Sequence, residues 1–263
     1  MMQTDQIICE RDGAIGRITY NHPERHNAMS YDMWVGGTAA IEQLVADGET
    51  RVIVLTGAGE KAFVAGADIS KFEKERGTAD AVAEYNAAVA TFQATLANAA
   101  LPTIAMIGGY AIGGGLAIAL CCDIRIASDD SRFAIPAAKL GLGYAAGGIN
   151  TLMQIVGPSF AKEIFFTARQ FDADEARIMG LVNRVVPRAE LQATVDDYTR
   201  RISENAPLTI HAAKTAVGEL VKPESQRDLE MCNTLVMKCF ESEDYKEGRK
   251  AFMEKRKPQF RGR

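Results

Sequence analysis

The sequence predicts an α/β fold, with a core of parallel strands joined by crossover helices and a helical final third. Three observations lead there. Short β-branched or apolar runs alternate with longer helical patterns as far as residue 135. Glycine-rich turns stand directly between strand and helix patterns, at Gly57-Ala58-Gly59, at Gly66 and across residues 108–115. From Arg188 to Lys255 nearly every segment reads as helix, with breaks at Pro207 and near Pro223.

Residues 6–10 and 14–20 read as strands around Asp12-Gly13, a hairpin turn signal. Residues 21–27 form a polar turn with Pro23, and Ser30 is placed to cap a helix running to about Ala46. Residues 51–56 are a buried strand and 63–66 a short extended piece, after which Asp68 can cap a helix. Residues 79–99 are alanine-rich and helical, ending before Pro102. Residues 103–107 form a strand entering the glycine run, 116–122 a helix, and 123–127 and 131–135 two further strands. Beyond Gly148, residues 149–156 and 159–167 read as helices, Asp172 caps 173–179, and 181–186 form a short strand.

Composition narrows the function. Of 263 residues, 47% are hydrophobic and 24% charged, which excludes a disordered or fibrous chain. The net charge of −4, with no basic stripe, argues against nucleic acid as a partner. None of the three histidines, His22, His26 and His211, has a second His or Cys at ligand spacing, so no metal site is expected. The five cysteines are odd in number and two are adjacent, so they read as buried free thiols in a reducing compartment. No apolar h-region follows the N-terminus, and the longest apolar stretch, residues 116–122, is too short to span a bilayer. These features lead to the expectation of a cytoplasmic protein with no membrane partner.

Two segments carry the chemical signal. Phe63-Val64-Ala65-Gly66-Ala67-Asp68-Ile69 places a small residue after a glycine at a helix start, where backbone N–H groups are free. Gly108-Gly109-Tyr110-Ala111-Ile112-Gly113-Gly114-Gly115 also joins strand to helix. It is neither a dinucleotide fingerprint nor a phosphate-binding loop with Gly-Lys-Ser/Thr. Two backbone N–H groups aimed at one point make an oxyanion hole, whereas either turn taken singly is equally a device for tight packing.

Together with Asn21-His22-Pro23, Asn27-Ala28-Met29, Cys122-Asp123-Ile124-Arg125-Ile126-Ala127, Gly180-Leu181-Val182 and Glu254-Lys255-Arg256-Lys257-Pro258, these segments resemble the enoyl-CoA hydratase/isomerase (crotonase) family over the whole chain. The resemblance implies a crotonase-like spiral of ββα turns over residues 1–200 and a helical C-terminal trimerisation region over 201–263. It further implies a homotrimer or dimer of trimers acting on an acyl-CoA thioester, with no cofactor beyond the coenzyme A of the substrate. By position, the amides of Ala67 and Gly114 would hold the thioester oxygen. Asn27, Ala28 and Met29 with Ala65, Asp68 and Ile69 would line the coenzyme A path, Arg25 would meet its phosphates, and Ala117, Pro136 and Ala137 would line the acyl site.

The departures from that family are informative. Its hydratases use two glutamates, the first two residues beyond the triple glycine and the second after a proline. Here those positions hold Ala117 and Ala137, methyl groups that cannot move a proton. An oxyanion hole is still sufficient for decarboxylation, because the leaving carboxylate supplies the electrons of the enolate, and another lyase or isomerase reaction through a thioester enolate stays open beside it. Members that decarboxylate methylmalonyl-CoA carry a tyrosine in the following loop, as Leu140-Gly141-Leu142-Gly143-Tyr144 does, and Tyr144 is the third catalytic candidate. Those decarboxylases carry a histidine where Ala67 stands, so the acyl group stays open. Two other readings also stay open: a hydratase with a relocated base such as Asp80 or Glu84, and a non-catalytic acyl-CoA-binding protein. Tyr110 is expected to pack behind the glycine turn; Glu84 shares a helix face with Asp80 and Ala88 whose default is solvent, though Glu84 and Tyr85 could also reach into the acyl pocket from that helix.

Overall fold

A computed structural model of the chain describes residues 4–71, 75 and 77–263. It opens with β1 (Ile7–Asp12) and β2 (Ile15–Tyr20), paired antiparallel around Gly13, whose φ of 56° suits the tight turn. Next come α1 (Tyr31–Ala46) and β3 (Val52–Gly57). Ser30 precedes α1 as expected, but its hydroxyl donates to Gln6 Oε1 at 3.2 Å instead of capping the helix.

The chain then winds as a spiral in which each turn gives one strand to each of two sheets before crossing back through a helix. The first turn is β3, β4 (Ala62–Val64) and α2 (Ala79–Ala97). The second is β5 (Thr103–Ile107), β6 (Tyr110–Ile112) and α3 (Gly114–Cys121). The third is β7 (Ile124–Ser128), β8 (Arg132–Ala134) and α4 (Ala146–Thr167). Two more strands, β9 (Phe171–Asp172) and β10 (Arg184–Val186), flank α5 (Ala173–Ile178). The chain continues through α6 (Leu191–Glu204), α7 (Pro207–Leu220), α8 (Leu229–Glu241) and α9 (Glu243–Glu254).

One sheet runs β1-β2-β3-β5-β7-β10 and the other β4-β6-β8-β9. All pairs are parallel except β1 with β2 and β8 with β9. β3 is buried on both faces, which is why it reads as an unbroken apolar run. Its alternate side chains serve different layers: Ile53 and Leu55 join the main core with Trp34 and Phe92, while Val52 and Val54 join Ile104, Ile126, Leu191 and Val195 beneath α6.

Several elements differ from expectation. The glycine run contains β6, because Tyr110–Ile112 finds neighbouring strands on both sides. The strand expected from residue 181 begins at Arg184, since the Leu181 amide bonds back to the Ala176 carbonyl in the turn closing α5. The two helices expected at 149–156 and 159–167 are both present within α4, where Gly157 (φ 75°) leaves the helical conformation before Pro158 and separates them. After Asp68 a single 3-10 turn, Ile69–Lys71, is seen; the rest of the helix expected there falls on residues outside the described set. The Asp172 cap is present, as a full capping box with Glu175.

Candidate active site

The two glycine-rich segments come together. A side-chain carbon on Gly66 would lie 3.5 Å from the Ile112 carbonyl oxygen, and one on Gly114 would lie 3.8 Å from the Gly66 carbonyl carbon. A carbon on Gly115 would overlap the Val64 carbonyl, so only glycine admits this approach.

The direction of the Ala67 amide follows from its pairing. Ala67 forms a parallel bridge with Met29, in which the Met29 amide donates to Gly66 (2.8 Å) and the Asp68 amide donates to Met29 (2.9 Å). In a parallel bridge the residue between two such bonds turns its own N–H and C=O the other way. The Ala67 N–H therefore faces away from Met29. Gly114 is the first residue of α3, a position whose N–H has no intrahelical acceptor. Among the described residues neither amide has a hydrogen-bond partner.

The wall beside these amides is small and apolar. Gly114, Ala117 and Cys121 recur at helical spacing and share one face of α3. Ala117 is 9% and Ala137 5% exposed. Pro136 opens the 3-10 turn Pro136–Leu140, and its Cδ would lie 3.9 Å from a side-chain carbon on Gly113. This turn sets Ala137 close to the glycine turn. Tyr144 is half-buried, with its ring edge-on to Phe165 at 5.0 Å. Burial raises its phenol above the ordinary range, and the nearby Cys121 thiol adds to this. Burial likewise pushes the Cys121 thiol up to about 12, so both groups remain protonated at neutral pH.

Other expected residues take varied places. Asn27 is fully buried, and its side chain is used within the chain: Nδ2 donates to Ala58 O (2.9 Å) and Ala62 O (2.8 Å), and Oδ1 accepts from the His22 amide (2.9 Å). Ala28 and Met29 are buried, Ala65 donates to the His26 carbonyl (3.0 Å), and Ile69 is 63% exposed. Asp68 is buried. Burial alone would raise its carboxyl, but two hydrogen bonds from Ser70, with Lys71 and Arg25 nearby, hold it below the ordinary range. Arg25 is exposed and lies close enough to Asp68 to contribute. A cavity of about 300 Å³ opens between the Pro23–Asn27 turn and the connection from β3 to β4, lined by Pro23, His26, Asn27, Glu60 and Lys61 among others.

One expectation about nearby side chains is corrected. Tyr110 is exposed and stacks on His26 at 6.3 Å; β6 turns it out of the sheet instead of behind the glycines. Glu84 is exposed and accepts from the Tyr31 hydroxyl at 3.0 Å, and Asp80 is exposed too. Tyr85 is buried, with its phenol accepting the Trp34 indole N–H at 2.9 Å. Trp34 went unnoticed in the sequence, yet its ring stands 3.5 Å from the side-chain position of Gly114. A lone tryptophan on an amphipathic helix carries no local signal that it backs a glycine turn.

Comparison with known proteins agrees with this geometry. A sequence profile described as enoyl-CoA hydratase/isomerase matches residues 10–263. The chain is 38% identical over 256 residues to a short-chain-enoyl-CoA hydratase of Clostridium acetobutylicum, covering 97% of each chain. It is 34% identical over 259 residues to a crotonyl-CoA hydratase of Syntrophomonas wolfei, covering 98% of this chain and 99% of the relative. Among solved structures, an enoyl-CoA hydratase/carnithine racemase from Magnetospirillum magneticum superposes with a TM-score of 0.92 at 36% identity, over 99% of this chain and 97% of that one. The spiral, the paired amides and likeness along the whole sequence have one source: this chain belongs to the enoyl-CoA hydratase/isomerase family.

Proposed function

We propose that this member works on a malonyl-type acyl-CoA thioester and removes its carboxylate as CO2, in place of adding water. The carrying observation is that both glutamate positions of the hydratase pattern hold buried methyl groups, Ala117 and Ala137. The carbon–carbon bond to the carboxylate breaks, and its electron pair forms an enolate whose charge rests on the thioester oxygen. The Ala67 and Gly114 amides hold that oxygen, as an oxyanion hole does. The Tyr144 phenol, kept neutral by burial, donates a hydrogen bond that holds the carboxylate out of the thioester plane. A proton from water then completes the α-carbon. Ala28, Met29, Ala65, Asp68 and Ile69 border the coenzyme A path, with Arg25 at the phosphates, while the buried Asn27 side chain is held by His22, Ala58 and Ala62.

The test is incubation with methylmalonyl-CoA and, separately, crotonyl-CoA, following products by mass. CO2 loss that falls at least about 100-fold in Tyr144→Phe supports the proposal. The named relatives favour a second reading, hydration, and crotonyl-CoA hydration with no CO2 release would establish it. Tight binding of coenzyme A with no turnover would instead mark a non-catalytic binder.

A homotrimer or dimer of trimers is part of the same proposal. A groove of about 980 Å³ among α7, α8 and α9 is rimmed by Val236, Phe240, Tyr245, Phe252 and Met253, all exposed. Such apolar surface favours burial against another copy. Sedimentation at monomer mass would overturn this.

A further inference from the structure

We propose that Asn27 is a positioning residue for the oxyanion hole, acting through the backbone to aim the Ala67 amide. This rests on the oxyanion-hole reading above and adds a residue to it. Asn27 sits in the left-handed region at φ 57°, directly after His26 at φ 53°. Its amide donates to His22 O at 2.8 Å while its Oδ1 accepts from the His22 amide at 2.9 Å, closing the turn on itself. Its Nδ2 then pins that turn to Ala58 O and Ala62 O, on either side of the connection from β3 to β4. The Asn27 side chain is fully buried, so this clasp is shielded from competing water.

The clasp sits where the two site-forming segments begin to run side by side. Immediately before it, His26 O accepts from Ala65; immediately after it, Met29 exchanges hydrogen bonds with Gly66 and Asp68. These bonds are what turn the Ala67 N–H away from Met29. Asn27 ties one end of that ladder to the strand β4 that leads into Gly66. Loosening the clasp lets residues 26–29 slide against 65–68, and the Ala67 amide loses its aim. No atom of the Asn27 side chain needs to touch substrate for this. Gly57 supports the arrangement from below, since a side-chain carbon there would meet Asn27 Nδ2 at 2.6 Å.

The experiment uses the full-length protein and the infrared carbonyl stretch of a bound acyl-CoA thioester, isotope-edited at the carbonyl carbon. In the unmodified protein the stretch moves to lower frequency on binding; if it does not, the oxyanion-hole reading itself fails, independently of Asn27. Given that shift, Asn27→Gly keeps the left-handed backbone and removes the clasp. The expected result is loss of most of the shift and a kcat lower by about 100-fold. A full shift and unchanged kcat in Asn27→Gly would overturn the proposal. If that variant does not fold, Asn27→Asp keeps the side-chain volume and the acceptor for His22 but lacks both Nδ2 donors. The same loss of shift is expected from it, and an unaltered stretch there overturns the proposal equally.

Discussion

The indole N–H of Trp34 donates a 2.9 Å hydrogen bond to the phenol oxygen of Tyr85, in the space behind Gly114. Both side chains are essentially buried, and Phe92 meets the Trp34 ring edge-on at 5.2 Å. Removing the phenol oxygen leaves a buried donor without this acceptor. Tyr85→Phe is therefore expected to lower stability by about 1–3 kcal/mol. The exposed pair of Tyr31 with Glu84 is the control: Tyr31→Phe should cost less than about 1 kcal/mol. Urea unfolding of the two variants reads the difference, and equal costs would contradict this account.

The close approach of the glycine turns makes a sharp contrast between two alanine substitutions. Gly115→Ala drives a methyl group into the Val64 carbonyl, which is backbone of β4 and cannot yield. That variant is expected to unfold or to lose turnover. Gly147→Ala meets nothing within 4 Å and lies in the first turn of α4, so it should be neutral or stabilising by up to about 1 kcal/mol. Thermal melts of both proteins decide it.

Restoring the missing carboxylates tests why the alanines matter. Ala117→Glu together with Ala137→Glu places two acids in a buried apolar wall. Desolvation should raise both carboxyl pKa values and reduce stability. If general acid–base groups are what this site lacks for hydration, crotonyl-CoA hydration should rise by about 100-fold or more over the unmodified chain. No gain in a folded double variant would show that more of the site has diverged than these two positions.

Alkaline pH should destabilise the protein earlier than the acidic surface suggests. Burial raises Cys121 to about 12 from an ordinary value of 9.0, and raises Cys122 and Tyr20 as well. A group whose folded pKa is raised holds its proton in the folded state after the unfolded chain has released it. Its stabilising contribution is full below the ordinary thiol value and is lost as pH climbs from there toward the folded values. The melting temperature is expected to be flat near pH 7–8 and to fall steadily above about pH 9. Cys122→Ala should soften the fall by removing one such group, if the cavity it leaves is tolerated.

Much of this molecule is legible in its residues. The β-branched run of β3, the Asp12-Gly13 hairpin and the helix cap at Asp172 each sit close to where the local pattern puts them. The glycines at 66 and 113–115 mark the two turns that the fold brings together, and Ala117 and Ala137 are the buried small residues beside them. What escaped the sequence was β6, three residues that are strand only because β4 and β8 lie on either side. The Trp34–Tyr85 contact escaped as well, since nothing near either residue marks the other.

The sequence by itself determined which backbone could turn sharply, which faces were apolar, and which ionisable groups were available. Those properties act over a few residues, through sterics and periodicity. Only the tertiary structure decided where the Ala67 amide points, because that direction is set by hydrogen bonds to Met29, a distant partner in the chain. It also decided that Tyr144 stands near Cys121 on the wall of α3 while Glu84 faces solvent. Such outcomes depend on the packing of whole layers, which brings together segments whose local sequences carry no record of one another.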